Sequence, residues 1–201
     1  MYGRRNVEGE VKEIVKVVAK RGPNLEDLLL KRKKLALEGF NENEKVTMPC
    51  GRKRCMCCKI VSSDRNITVN GKWANSGGGS CISKNVVYFM QCKICHEGYC
   101  GKTVQHLRER MNEHRSAFYT VLEKAANIEN VAVDDTNILG LHLLTQHQKA
   151  SRSDFNNCFK VTILAKDITP GKIRIIEQSY IDRLGTLAPF GLNQYNSLSS
   201  F

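Results

Sequence analysis

Long apolar runs are absent. Nothing in the 201 residues approaches the roughly 18 to 20 consecutive apolar positions that cross a bilayer, so no membrane-spanning helix is expected. The amino-terminal stretch MYGRRNVEGEVKE also lacks the apolar core of a signal peptide, and the expectation is a soluble intracellular chain with no membrane partner. No internal repeat is visible, which argues against solenoids and propellers. Acidic residues are the scarcer charge: 20 Asp plus Glu stand against 31 Lys plus Arg, a net charge of +11. That excess points to a polyanionic partner, nucleic acid before a membrane surface or an acidic protein, although surplus lysine also serves solubility. With 41% hydrophobic and 25% charged residues the chain can build a core, and neither wholesale disorder nor a fibre is expected.

Cysteine is plentiful. The nine cysteines would suggest a disulfide scaffold in a short secreted chain, but the count is odd and no export signal precedes them, so metal ligation is the better expectation. The length allows one domain of ordinary size with an annex, and the composition divides it into three stretches.

Residues 1–40 read as a helical connector. Val11, Ile14, Val15, Val17 and Val18 form a first apolar stretch that closes at Arg21-Gly22-Pro23. Asn24 then caps a helix carrying Leu25, Leu28, Leu29, Leu35 and Leu37, with the basic block Lys31, Arg32, Lys33, Lys34 between them. The block could touch nucleic-acid phosphate or be a solvated helix face. Residues 41–84 are rich in cysteine, glycine and serine and lose hydrophobic periodicity, a composition that needs staples. Gly77-Gly78-Gly79-Ser80 reads as a loop; a phosphate-binding glycine loop would want a following Lys-Ser/Thr and a helix.

Residues 85–201 read as an α/β domain. A strand is expected at 86–90, its hairpin partner at 97–101 and a helix at 103–118 with Val104, Leu107, Met111 and Phe118 on one side. Caps at 134–137 should start a helix running to about His147, followed by a strand at 159–165 and a helix from Pro170 to Gly185.

Two sets of metal-ligand type stand out. Cys92-x2-Cys95 lies between the two short strands, and His142-x4-His147 lies on the later helix. Two thiolates from one tight turn and two imidazoles from one helix suit tetrahedral zinc, while a lone CxxC also serves as a redox pair. The second set is Cys50, Cys55, Cys58 and Cys81, a closed four-thiolate site around the core-poor stretch, in which Cys57 could replace Cys58. Cys100 and Cys158 read as small core residues.

Polar residues also interrupt apolar faces. Glu177 falls within the stripe of Ile173, Ile176, Tyr180, Ile181 and Leu184, where a carboxylate needs a cationic partner or a metal ion. A hard oxygen donor of this kind suits magnesium. Arg110 and His114, four apart, share one helix side and could jointly face a phosphate; Arg108 sits at another angle as a surface contact.

The order Val86-Val87-Tyr88, ten intervening residues, Tyr99-Cys100-Gly101, Arg110-x3-His114, Glu177 and Asn193 resembles the GIY-YIG nuclease family over roughly residues 85–195. The paired cysteines between the tyrosine motifs, the two downstream histidines and the cysteine-rich lead-in are similar to the endonuclease domain of Penelope-like retroelements, which follows a reverse transcriptase. The stretch RRGPNLEDLLLKRKKLAL looks like the connector out of such a polymerase. Val86-Val87 replaces Gly-Ile of the first motif and Cys100 replaces Ile of the second, both strand-compatible.

The resemblance implies a small antiparallel sheet flanked by helices and a metal-dependent DNA endonuclease that nicks a strand for target-primed reverse transcription. It implies Mg²⁺ or Mn²⁺ on Glu177, Tyr88 as proton acceptor aided by neighbouring cations, Tyr99 positioning water or phosphate, and Arg110 stabilising the transition state. His114 would assist and Asn193 would brace the site, while zinc organises the fold. Lys102 and Arg108 would contact DNA, with a reverse transcriptase or RNA as further partners and the nucleus as the place of action. The rival readings are a zinc-stabilised nucleic-acid-binding module that no longer cuts, and an RNA-directed or repair nuclease on the same scaffold.

Overall fold

Val86-Val87-Tyr88-Phe89-Met90-Gln91-Cys92 combines β-branched and aromatic residues with no polar alternation, the signature of a strand covered on both faces. In the computed structural model this segment is β5 (Val86–Cys92), the central strand of a three-stranded antiparallel sheet, and all seven residues are buried. The structure describes residues 45–127 and 137–194. Within them the earlier strands are β1 (Thr47–Met48), β2 (Asn66–Val69), β3 (Lys72–Asn75) and β4 (Gly79–Ser80). β6 (Gly98–Thr103) flanks β5 on one side and β7 (Phe159–Ala165) on the other. The helices are α1 (Leu107–Ala126), α2 (Ile138–His147), α3 (Asp154–Cys158) and α4 (Ile173–Leu184). Among the described residues no helix is long and apolar enough to cross a membrane. The connector at 1–40, with Lys31, Arg32, Lys33 and Lys34, lies outside the described residues.

Alternation along β5 builds two cores. Val86, Tyr88, Met90 and Cys92 face one side with Tyr99 of β6, and there Leu107, Met111 and Phe118 of α1 and Leu139 and Leu143 of α2 cover them. Val87 and Phe89 face the other side with Cys100, under Ile173, Tyr180, Ile181 and Leu184 of α4 and the β2–β3 hairpin residues Ile67, Val69 and Ala74. Cys100 and Cys158 are core residues as expected. The pairing of β5 with β7 shifts between Val87 and Tyr88: Val87 faces Ala165 but Tyr88 faces Ile163. One extra β7 residue therefore bulges beside Tyr88, a device that re-aims side chains.

The cysteine-rich lead-in shares this core, and the described residues fall in one compact unit. Cys57, Ile60 and Cys81 pack with the Tyr88 face. The lead-in also seals the outer edge of β7: Val161 donates to Ile60 O at 2.7 Å, Ser62 to Val161 O at 2.9 Å, Gly77 to Ile163 O at 2.8 Å, and the Ile163 N–H to Thr47 Oγ1 at 2.9 Å. The opposite edge, β6, is sealed by the segment after α4, where Leu192 donates to Gly98 O at 3.0 Å.

One helix boundary differs from the sequence expectation. Thr103 ends β6 and Val104 is 53% exposed, so the helix begins at Leu107 and runs on to Ala126. Glu109 fixes that start by accepting the His106 N–H at 3.3 Å, while His106 Nδ1 bonds Ile82 O.

Candidate active site and metal centres

Tyr88 projects from β5 under α1, fully buried. Its hydroxyl lies 2.7 Å from His114 Nε2 and accepts the Arg110 Nε–H at 3.2 Å, so the two helix residues one turn apart meet on a single oxygen. Tyr99, on β6 opposite Met90, completes the cluster: its ring centroid lies 6.4 Å from that of Tyr88 and 5.8 Å, edge-on, from that of His114. Arg110 also donates to Glu113 at 2.8 Å. Burial works against the Arg110 charge, but Tyr88 and Glu113 outweigh it and hold the guanidinium protonated.

At Tyr88 the neighbouring cation and burial oppose one another. Burial pushes its pKa up to about 12; Arg110 lowers it, but less than burial raises it, and Glu177 and Glu113 raise it further. At neutral pH the hydroxyl is protonated, and it lies within hydrogen-bond reach of His114 Nε2.

Gly101 explains why the second motif ends in glycine. It pairs with Tyr88 across the strands, and a Cβ there would lie 2.5 Å from the Tyr88 hydroxyl oxygen and 2.7 Å from Tyr99 Cε1. Both rings are buried and the Tyr88 hydroxyl is doubly held, so neither yields readily. Gly101→Ala is expected to destabilise the domain by about 1–3 kcal/mol, the usual range for overpacking, and urea unfolding would measure it.

Glu177 is buried on α4. Its Oε2 accepts from Lys102 Nζ at 2.5 Å, so its buried charge is paired with a half-buried lysine of β6. Lys102 points to the α4 side of the sheet and Tyr88 to the α1 side, and the Glu177 carboxylate raises the Tyr88 pKa electrostatically. Asn193 braces that edge: its Oδ1 accepts the Cys100 N–H at 2.9 Å and its Nδ2 donates to Cys100 O at 2.7 Å, a two-point clamp between the two tyrosine-motif positions. Arg108, on the first turn of α1, is only 3.8 Å from the Glu109 carboxylate and remains partly exposed.

The two cysteine and histidine sets converge. Cys92 ends β5, Cys95 lies in the following turn, and His142 and His147 lie on α2, with all four donor atoms within 4.8 Å of one another. Zinc bond lengths of about 2.3 Å to sulfur and 2.0–2.1 Å to nitrogen make tetrahedral edges of about 3.8 Å between two sulfurs, 3.6 Å between sulfur and nitrogen and 3.4 Å between two nitrogens. Cys92 Sγ lies 3.5 Å from His147 Nε2, Cys95 Sγ lies 3.4 Å from His142 Nε2, and the two Nε2 atoms are 3.2 Å apart. Burial lowers the His142 pKa to about 4, assisted by His147, so its imidazole is neutral at pH 7, as a ligand must be. Glu97, which the sequence reading passed over, places Oε2 at 3.7 Å from His142 Nδ1, the position of a carboxylate that orients a metal-bound histidine. An acidic residue two places beyond Cys95 was the available signal.

The four-cysteine set is equally regular. Cys58 Sγ lies 3.6 Å from both Cys50 Sγ and Cys81 Sγ, and Cys55 completes the group. The choice left open by spacing falls to Cys58; Cys57 turns into the core. A backbone contact at Arg52 holds the Cys50 thiol down to about 7, whereas burial pushes Cys55 up to about 12. An incoming ion would displace the remaining thiol protons. Both groups are compatible with structural zinc, and with four protein donors each would be closed to water.

No family model, curated protein or solved structure matches this chain.

Proposed function

We propose that the chain is a metal-dependent DNA endonuclease of GIY-YIG type that nicks a phosphodiester bond, related to the nucleases of Penelope-like retroelements and acting in the nucleus. The observation that supports this reading most directly is the convergence of Arg110 and His114, from one helix, on the hydroxyl of Tyr88, with Tyr99 and the obligatory Gly101 beside it. These residues come from two strands and the helix that follows them, and a simple core would have no need to meet a buried phenol with both an imidazole and a guanidinium.

The chemistry follows from the contact between the Tyr88 hydroxyl and His114 Nε2. Tyr88 keeps its proton until His114 Nε2 removes it, so the pair can relay a proton from attacking water through the phenol to the imidazole. Arg110 is placed to stabilise charge growing on the phosphate, and Tyr99 to position phosphate or water. Asn193 holds β6 so that both tyrosines keep their spacing. The Glu177 carboxylate fits a divalent cation of the magnesium or manganese type, which takes one or two protein carboxylates and completes its shell with substrate phosphate and water. Such an ion, when bound, neutralises charge on the scissile phosphate. Lys102 would then leave Glu177 and become free to contact DNA.

A second reading, a zinc-stabilised nucleic-acid-binding module without activity, draws on the Lys102–Glu177 pair, since a carboxylate satisfied by lysine has no need of a metal. Nicking of supercoiled plasmid with Mg²⁺ separates the two. The parental protein should nick, and Glu177→Ala should lose about 100- to 1000-fold of the rate, comparable to loss of a transition-state donor, with zinc content unchanged. Equal rates for both proteins would remove Glu177 from the mechanism, and no nicking by the parental protein would favour the binding module.

A further inference from the structure

A cleft of about 360 Å³ opens between the four-cysteine loop and the start of α1, lined by Arg52, Arg54, Cys55, Met56, Arg108 and Asn112. The geometry points to a second phosphate-binding site there, one that takes the sugar-phosphate backbone of duplex DNA away from the Tyr88 centre. The inference rests on the reading of the chain as a DNA-binding protein and extends it to a surface from which that reading uses Arg108 alone.

Three features make the cleft suited to phosphate. First, its charged lining carries one sign only: Arg52 and Arg54 are exposed and have no carboxylate partner among the described residues, and Arg108 meets Glu109 only at 3.8 Å. Three guanidiniums in one concavity repel one another unless an anion joins them, and guanidinium is the side chain whose donor fork matches phosphate oxygens.

Second, Asn112 is fixed as a donor. Its Oδ1 accepts from Arg115 Nη1 at 2.6 Å, which leaves the amide NH₂ as the group it can offer to the cleft. Arg115 is itself buried and held by Asn156 Oδ1 at 2.9–3.1 Å, so the orientation is set from within the fold.

Third, the two walls are tied together. The Arg108 N–H donates to Cys81 O at 2.9 Å and the Cys55 N–H to Arg52 O at 3.0 Å, so the loop bearing Arg52 and Arg54 and the helix bearing Arg108 are both anchored to members of the four-cysteine group. The cysteine site thereby fixes the spacing of the three arginines. On α1, Arg108 and Asn112 are one turn apart and face this cleft, while Arg110 and His114 face Tyr88. One helix would thus contact DNA along two flanks.

The test is fluorescence anisotropy of a labelled duplex oligonucleotide without added Mg²⁺, titrated with salt, for the parental protein and the triple variant Arg52→Gln, Arg54→Gln, Arg108→Gln. If each arginine neutralises one phosphate, the slope of log affinity against log salt falls by about 2.7. Between 50 and 200 mM salt the parental protein should then lose on the order of 40-fold more affinity than the variant. A control triple variant at exposed lysines outside the cleft, Lys93→Gln, Lys124→Gln, Lys172→Gln, should change the slope much less. Arg→Lys replacements at the three cleft positions should keep most of the slope, and native mass spectrometry should show unchanged zinc in every variant.

Equal slope loss in the two Gln variants would overturn the site in favour of diffuse charge, as would an unchanged slope in the cleft variant. Loss of zinc from the cleft variant together with loss of slope in the Arg→Lys protein would also overturn it, because the arginines would then be acting through the fold. A parental protein that binds DNA through the cleft but never nicks plasmid would leave this site standing while the nuclease reading fails.

Discussion

Tyr88→Phe is expected to reduce plasmid nicking by about 100- to 10,000-fold, the usual contribution of a positioned proton-transfer group. The substitution removes one oxygen and leaves the ring, so packing against Tyr99 and His114 persists. What is lost is the junction at which the imidazole and the guanidinium meet. A buried His114 deprived of that partner should also destabilise the fold by about 1–3 kcal/mol. Nicking rates measured at a temperature where both proteins are fully folded separate the two effects. A Phe variant that retains the parental rate would assign the cluster a purely structural part.

Removal of zinc should have the largest effect on stability. Native mass spectrometry is expected to find two ions per chain, and His147→Ala or Cys95→Ser should each lower that count to one. Structural zinc contributes about 10–16 kcal/mol in small finger peptides, comparable to or larger than the entire stability of an ordinary domain, about 5–15 kcal/mol. The Cys92, Cys95, His142 and His147 group joins the end of the central strand to α2, so its loss should broaden or abolish cooperative thermal unfolding. Chelator added to the parental protein should reproduce the effect, and zinc should reverse it. One ion per chain, retained in His147→Ala and lost in Cys55→Ser, would show that the histidine set holds no metal.

The sequence was most legible where chemistry is local. β7 and α4 lie where β-branched runs, Pro170 and Gly185 place them, and Gly185 ends α4 in the left-handed conformation that favours glycine. The metal sets were legible because ligand spacing follows from the reach of a turn or a helix. The start of α1 was not: His106 and Glu109 hold the cap, and histidine gives no ordinary capping signal, so Thr103 and Val104 read as helix although Thr103 completes β6. The partner of Glu177 was hidden for another reason. Lys102 is 75 positions away, and only the pairing of β6 beside β5, with α4 packed across it, brings the two together. Nor could the stripe on α4 reveal that burial would outweigh Arg110 at Tyr88, because that balance depends on how completely α1 closes over the sheet.

If the chain is the nuclease proposed above, the sealed edges of the three-stranded sheet bear on how many DNA strands it would break. Leu192 and Asn193 occupy the backbone groups of β6, and Thr47, Ile60, Ser62 and Gly77 occupy those of β7, so neither edge offers a ladder for a second copy to extend. Strand addition is closed at those positions of this sheet. With a single Tyr88 cluster in each chain, an isolated domain would open one strand per encounter, and a cut through both strands would require either two separate visits or a helical face that joins two chains.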